Sequence, residues 1–247
     1  MNPSKAGASG VRPPRRTGPD IKAIPFNSST DGVAVSLLSD AERHQLALIA
    51  SIAHLKPASV LYEAGDPAEF LYIIIHGAVK TVRRLAGRKR AITAFLFPND
   101  LVGLAAEGRY INTAVALAPL TVYRMPVAGL ERVLLRNPEL EYHFLCKVCH
   151  ELREAQRHAI SLGRKSAAER IAMLLHMLEH RQPPDMRDGE IALAMSRSDI
   201  ADYAALSLES VSRTFRALQR GRIIAVRDKR HVRILDRARF EQLASTP

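Results

Sequence analysis

Apolar and polar positions change rhythm several times along the chain. Over residues 37–53 apolar positions recur with helical spacing, and Asp40 suits an N-cap. Over residues 59–125 the texture becomes that of short strands. The β-rich runs 59–62, 70–75, 78–84, 91–97, 113–117 and 120–125 are separated by turn signals: Gly65-Asp66-Pro67, His76-Gly77, Gly87-Arg88 and Pro98-Asn99-Asp100. Many short strands at near-regular spacing predict a β-sandwich or barrel. Asn99 fits a turn position that needs positive φ, which Asn tolerates.

From residue 138 to about 162 the pattern is helical and long. Leu145, Val148, Leu152, Ala155, Ala159 and Leu162 follow one another at 3-4-3-4-3 spacing, a heptad seam with two weak alanine positions. Such a helix either packs on its own barrel or faces its twin across a two-fold axis. Its length favours the twin, because a small barrel cannot cover all of it. After Gly163 another amphipathic helix covers residues 167–179. Pro183-Pro184 then breaks the chain, residues 183–189 read as a surface loop, and 191–195 as a short strand.

The next segment has the order of a helix-turn-helix. Ser196-Arg197-Ser198-Asp199 fits a capping box, with Asp199 in place of the usual Glu or Gln. A short helix over 197–204, a tight turn at Ala205-Leu206 and a second cap at Ser207 follow. In the second helix Leu208, Val211, Phe215 and Leu218 mark a buried face. Glu209, Ser212, Arg213 and Arg216 mark the opposite one. Gly221 is expected at C′. Residues 223–226 and 231–235, joined by Arg227-Asp228-Lys229-Arg230, form a two-stranded wing. Arg can fork onto guanine, Glu can accept from cytosine and Ser suits several base edges. A first-turn acid also suits the helix dipole, and Glu209 with Arg213 is also an ordinary i,i+4 ion pair. It is the ordered set of caps, turn, polar face and basic wing that points to a major groove. The DNA-contact set read from this pattern is Ser196, Arg197, Ser207, Glu209, Ser210, Ser212, Arg213 and Arg216.

Composition sharpens this. The chain has 247 residues and a formal net charge of +11, a balance that favours polyanions. Between Val211 and Arg233, Arg213, Arg216, Arg220, Arg222, Arg227, Lys229, Arg230 and Arg233 stand against one acid, Asp228. No run approaches the roughly 20 apolar residues of a membrane span, so no membrane association is expected. Residues 1–36, rich in Pro, Gly, Ser and basic residues and without an apolar leader, read as a disordered tail of a cytoplasmic protein. Neither a Gly-rich phosphate loop nor a nucleophile elbow is present, so no enzyme is expected. Two cysteines occur, in Cys146-Lys147-Val148-Cys149-His150. The string matches a haem-attachment pattern, but it falls inside a helix of a chain without an export signal. His143 and His150 add metal-ligand types, so a haem- or metal-dependent redox sensor is the alternative. The plainer reading is two small hydrophobes.

From about Leu37 onwards the layout resembles the CRP/FNR family. Gly65-Asp66 through Leu71-Tyr72-Ile73-Ile74, then Gly77 and Val79, resemble its cyclic-nucleotide-binding barrel. Pro98-Asn99-Asp100-Leu101-Val102-Gly103 resembles its PGD turn, with Asn for Gly. Ser161-Leu162-Gly163-Arg164 with Ala168-Glu169-Arg170-Ile171-Ala172 resembles its hinge. The Glu209, Ser212, Arg213 order is that of the FNR and FixK branch, whose half-sites are of TTGA type in an inverted repeat. One departure is Ala205, where the family has a turn glycine.

The resemblance implies an α+β chain with a jelly-roll barrel over 37–137, a dimerisation helix over 138–163 and a winged helix-turn-helix over 164–247. It implies double-stranded DNA, RNA polymerase and a second copy as partners, and a role in transcription, as an activator. Cyclic-AMP-binding members carry a Glu after the barrel Gly and an Arg-Ser pair further on. Leu104, Asn112 and Thr113 stand at those places here, so no cyclic AMP response is expected. Arg109 is the nearby cation that could substitute. The family's oxygen sensors hold an iron–sulfur cluster with N-terminal cysteines, which this chain lacks. No cofactor is therefore expected.

Overall fold

The computed structural model describes residues 27–30, 33–36, 40–88, 90–181 and 190–245. Two short strands, β1 (Asn27–Thr30) and β2 (Val33–Ser36), pair as an antiparallel hairpin. The expected disordered tail is corrected there, since backbone pairing gives this segment's amide groups partners. Residues 1–26 of that tail lie outside the described residues. Helix α1 (Asp40–Ile49) follows and stops before the expected end at 53. Residues 51–53 belong instead to β3 (Ser51–Leu55), a strand that alternates in exposure.

The barrel continues through β4 (Val60–Tyr62), β5 (Phe70–His76), β6 (Val79–Arg84), β7 (Arg90–Leu96), β8 (Leu101–Val102), β9 (Ala105–Ala106), β10 (Arg109–Tyr110), β11 (Thr113–Ala116) and β12 (Leu120–Pro126). The strands make two four-stranded antiparallel sheets, ordered β4-β11-β6-β7 and β3-β12-β5-β8. The six runs read from the sequence are six of these strands. Tyr62, Tyr72, Ile74, Val79, Leu96 and Val122 fill the space between the sheets. Gly77 has φ +94°, and a Cβ there would lie 2.4 Å from the Pro119 carbonyl oxygen, so only glycine fits the turn. Asn99 takes φ 83°, as expected.

Helix α2 (Val127–Leu134) covers one barrel end. Helix α3 (Pro138–Arg164) begins with proline in its first turn and Asn137 accepting the Leu140 N–H at 3.1 Å. Then come α4 (Ala167–Arg181), β13 (Glu190–Ala192), α5 (Arg197–Ala204), α6 (Leu208–Arg220), β14 (Ile224–Arg227), β15 (His231–Ile234) and α7 (Arg237–Ala244). The strand expected over 191–195 is shorter and starts one residue earlier. The expected loop at 183–189 lies outside the described residues. The last three strands form one sheet, β13-β15-β14.

Barrel and C-terminal part share a core. Ala78, Ile92, Phe95 and Phe97 of the barrel pack with Ile171, Leu175, Ile200, Val211, Phe215 and Phe240. Burial of this apolar surface at about 25 cal/mol per Å² is the main force joining the two parts.

Candidate nucleic-acid interface

Ser196 opens α5 with a complete capping box. Its hydroxyl accepts the Asp199 N–H at 3.1 Å, and Asp199 accepts the Ser196 N–H at 3.1 Å. The turn is made by Ala205, which adopts the left-handed conformation (φ 51°, ψ 47°) that glycine would enter without penalty. Ser207 caps α6 by accepting the Ser210 N–H at 3.0 Å. Val211, Thr214, Phe215 and Leu218 are buried, and this fixes the rotation of α6, whereas Leu208, expected on the buried face, is exposed in the first turn. Glu209, Arg213 and Arg216 are consequently exposed and Ser212 half-buried.

Two expectations change. Gly221 caps α6 at φ −72°, and the left-handed residue is Arg222 at φ 52°. Arg222 is thus at C′, with its N–H bonded to Gln219 O at 3.0 Å and the Ile223 N–H bonded to Leu218 O at 3.0 Å. Arg213 donates to Ser210 Oγ at 3.3 Å. Among the described residues it forms no ion pair with Glu209, so both charged groups are available to another molecule.

Of the eight contact residues read from the sequence, Glu209, Ser210, Ser212, Arg213 and Arg216 sit on α6. Ser196 and Ser207 are exposed, with hydroxyls engaged in caps. Arg197 points elsewhere. Its guanidinium lies 3.4 Å over the Phe215 ring, burial lowers its pKa to about 10, and it braces α5 against α6. In the wing, Asp228 (φ 46°) and Lys229 (φ 61°) make a turn of primed type, which leaves Lys229 and Arg230 exposed.

Positioning residues escaped the sequence reading. Arg170 donates to the carbonyls of Lys165 (2.9 Å), Ala204 (2.9 Å) and Leu162 (2.8 Å), tying the end of α3 to the end of α5. Asp100, 1% exposed, accepts from Arg181 at 2.6 Å, Lys147 at 3.2 Å and the Phe97 N–H at 3.0 Å. It links barrel, α3 and α4. An arginine spaced like any helix cation, or an Asp in a turn, gives no local sign of these roles.

The six seam positions lie along α3 as follows. Leu145 and Leu152 are each 58% exposed, Val148 is 38% exposed, Ala155 and Ala159 are exposed, and Leu162 is half-buried. This chain therefore leaves most of the seam uncovered. Cys146 is half-buried and Cys149 exposed, both as free thiols. Burial lowers the His150 pKa, with Lys147 and Arg181 adding to the effect. His143 Nδ1 lies 3.3 Å from Glu42 Oε1. Among the described residues no group of three or more His, Cys, Asp or Glu side chains is arranged to hold a metal ion. No helix among them is long and apolar enough to cross a membrane.

The resemblance would seat a cyclic nucleotide beside Leu104, Asn112 and Thr113. Leu104 is exposed, and Thr113 Oγ1 accepts the Ala64 N–H at 3.1 Å. Arg109 is held on the Gly65 carbonyl at 2.6 Å. Tyr110 stacks on Tyr62 with ring centroids 3.7 Å apart. A Cβ at Gly103 would lie 3.2 Å from Tyr110, so the aromatic stack presses against this segment. Leu104, Asn112 and Thr113 offer no carboxylate for a ribose and no cation for a cyclic phosphate. These residues do not fit a cyclic nucleotide.

A family model described as "Crp-like helix-turn-helix domain" matches residues 169–243, and one described as "Cyclic nucleotide-binding domain" matches residues 52–137. The chain is 31% identical over 211 residues to the nitrogen fixation regulation protein FixK of Bradyrhizobium diazoefficiens, covering 85% of this chain and 89% of that protein. It is 32% identical over 185 residues to the transcriptional activator protein Anr of Pseudomonas protegens, covering 74% of this chain and 75% of that one. The solved structure of FixK2 from Bradyrhizobium japonicum is similar with a TM-score of 0.75 at 30% identity, covering 81% of this chain and 99% of that one.

Proposed function

The chain belongs to the CRP/FNR family of transcription regulators, and from that premise we propose that it is an activator that binds an inverted TTGA-type repeat as a homodimer. The observation that carries this is α6: a capped helix with one face buried and Glu209, Ser212, Arg213 and Arg216 on the other, next to a basic wing. Arg213 forks onto the guanine of the half-site, and Glu209 accepts from a cytosine amino group in the same step or the next. Arg216, Arg220 and Lys229 hold phosphates.

Residues 37–137 are the sensor-type barrel, 138–163 the dimerisation helix and 164–247 the DNA-binding unit. Leu145, Val148, Leu152, Ala155, Ala159 and Leu162 pack against the same residues of a second copy, which places two α6 helices on two half-sites. DNA binding needs no cyclic AMP, haem or iron–sulfur cluster. Activation proceeds through RNA polymerase in the cytoplasm, in keeping with the activator names of Anr and of AadR from Rhodopseudomonas palustris.

The test is a binding titration of wild type and Arg213→Ala on the TTGA repeat and on repeats altered at the guanine. Arg213→Ala is expected to lose about 1–3 kcal/mol per half-site and to blur discrimination at that base pair. Equal discrimination by both proteins would remove Arg213 as the reader.

A further inference from the structure

The β6–β7 hairpin is docked on the helix-turn-helix, and its sequence is basic without compensation. Residues 79–90 hold Lys80, Arg83, Arg84, Arg88, Lys89 and Arg90 and no acid. Two of these cations face α5: Lys80 meets Asp199 at 2.6 Å, and Arg90 meets Asp202 at 2.5 Å and Asp199 at 3.6 Å. Phe95 lies with its ring centroid 4.9 Å from that of Tyr203 and adds an apolar contact. The hairpin is therefore seated on α5 along its length rather than swinging free.

Across the hairpin from this contact, Arg83 pairs with Ala91 and Arg84 with Arg90; both arginines are exposed and, among the described residues, carry no ion pair. Strand rise places Arg84 about 13 Å beyond Lys80 along the hairpin. The first helix of a helix-turn-helix crosses the DNA backbone while the second enters the groove. A basic tip held on that first helix suits the phosphates next to the half-site. One exposed apolar side chain, Leu85, accompanies the arginines. Protein interfaces form around an apolar, charge-depleted centre, so this composition fits a polyanion better.

We propose that the β6–β7 hairpin is an accessory arm that binds DNA phosphates flanking the half-site read by α6. The arm rests on the reading of α6 as the DNA-binding helix. It binds without base preference, and its contribution is read in salt dependence and in the length of DNA engaged.

The experiment is a salt titration by fluorescence anisotropy with two duplexes carrying the same inverted TTGA repeat. One ends at the half-sites and the other extends about ten base pairs, one helical turn, on each side. Wild type, Arg83→Ala with Arg84→Ala, and Arg83→Lys with Arg84→Lys are compared, after thermal melting has established that all three are folded. On the long duplex the alanine variant is expected to flatten the slope of log K against log salt by about 0.9 per lost phosphate contact, or about 3 to 4 per dimer. The lysine variant keeps the wild-type slope, and on the short duplex all three coincide. Equal slopes for wild type and alanine variant on the long duplex would overturn the arm and leave the patch to an acidic protein partner. An equal loss on both duplexes would overturn it too, because the charge would then act at the half-site itself. Failure of the TTGA reading looks different: wild type would bind the repeat and a scrambled duplex alike. The effect of duplex length on the slope would still be measurable on scrambled DNA.

Discussion

Helices α5 and α6 carry similar instructions in sequence and are used in opposite ways. Each is opened by a serine whose hydroxyl accepts an N–H three residues on, and each carries charged side chains on its helical wheel. In α5 those charges are spent inside the molecule. Asp199 and Asp202 hold Lys80 and Arg90 of the barrel, and Tyr203 is stacked on His158 and tilted against Phe95, at centroid distances of 4.0 Å and 4.9 Å. In α6 the charges of Glu209 and Arg216 have no ion pair among the described residues, and Arg213 has one neighbour, Ser210. One helix serves as an anchor, and the other is the proposed reading head. Substitutions on α5 are therefore expected to cost stability and leave base discrimination alone, and substitutions on α6 to do the reverse.

The strongest attempt to break that contrast is Tyr203→Ala. Burial pushes the Tyr203 pKa up to about 12, so the phenol is neutral, and its ring joins barrel, α3 and α5. Truncation is expected to destabilise by about 3–4 kcal/mol, as for other large aromatic deletions. The measurement is chemical denaturation at fixed protein concentration, since the proposed dimerisation would make stability depend on concentration. The protein that remains folded should still prefer the TTGA repeat. Loss of that preference would mean that α5 takes part in reading.

Asp199→Ala comes next, at about 2 kcal/mol, because it removes half of the capping box and leaves the half-buried Lys80 without its partner. Burial alone would raise the Asp199 pKa. The bonds from Lys80 and Ser196 outweigh it, so the pKa lies below the ordinary Asp value. A carboxyl depressed in the folded state stabilises above its unfolded pKa of about 3.9 and loses that contribution as pH falls through the folded value. Wild type should therefore lose stability faster than Asp199→Ala below about pH 4 in acid denaturation. Parallel curves would show that the Lys80 contact contributes nothing.

A gain is expected at the junction between the helices. Ala205→Gly relieves a left-handed alanine and should stabilise by about 1 kcal/mol, read as a rise in melting temperature. A fall would mean that the added freedom of the unfolded chain outweighs the strain. The smallest effect belongs to α6. The stability of Arg213→Ala should lie within about 0.5 kcal/mol of wild type, since the side chain is exposed. A larger loss would make Arg213 part of the anchor and erase the contrast.

Much of the contrast was written locally. The capping box at Ser196, the cap at Ser207 and the buried spacing of Val211, Phe215 and Leu218 are short-range signals, and they place the start of α6 to the residue and its end within one. What misled were side chains whose partners lie far along the chain. Arg197 has the spacing of a DNA contact, but its ring partner, Phe215, is on the next helix. Residues 51–53 continue a helical pattern, yet β12 offers them a strand partner, with Ile52 opposite Tyr123. Gly221 stands where a left-handed glycine is usual, yet the chain turns at Arg222, where the Ile223 N–H can reach Leu218 O.

The sequence by itself determined six strands of the barrel, the long amphipathic α3, the two capped helices and which face of α6 is polar. These follow from periodicity, turn residues and caps, all decided within a few residues of chain. Only the tertiary structure decided that Asp100 joins Lys147 to Arg181, that Arg170 binds α3 to α5, and that the β6–β7 hairpin sits on α5. Those choices depend on which charges and carbonyls packing brings within hydrogen-bonding distance of each other in a poorly solvated place. In such a place an unpaired group is costly and a paired one is fixed.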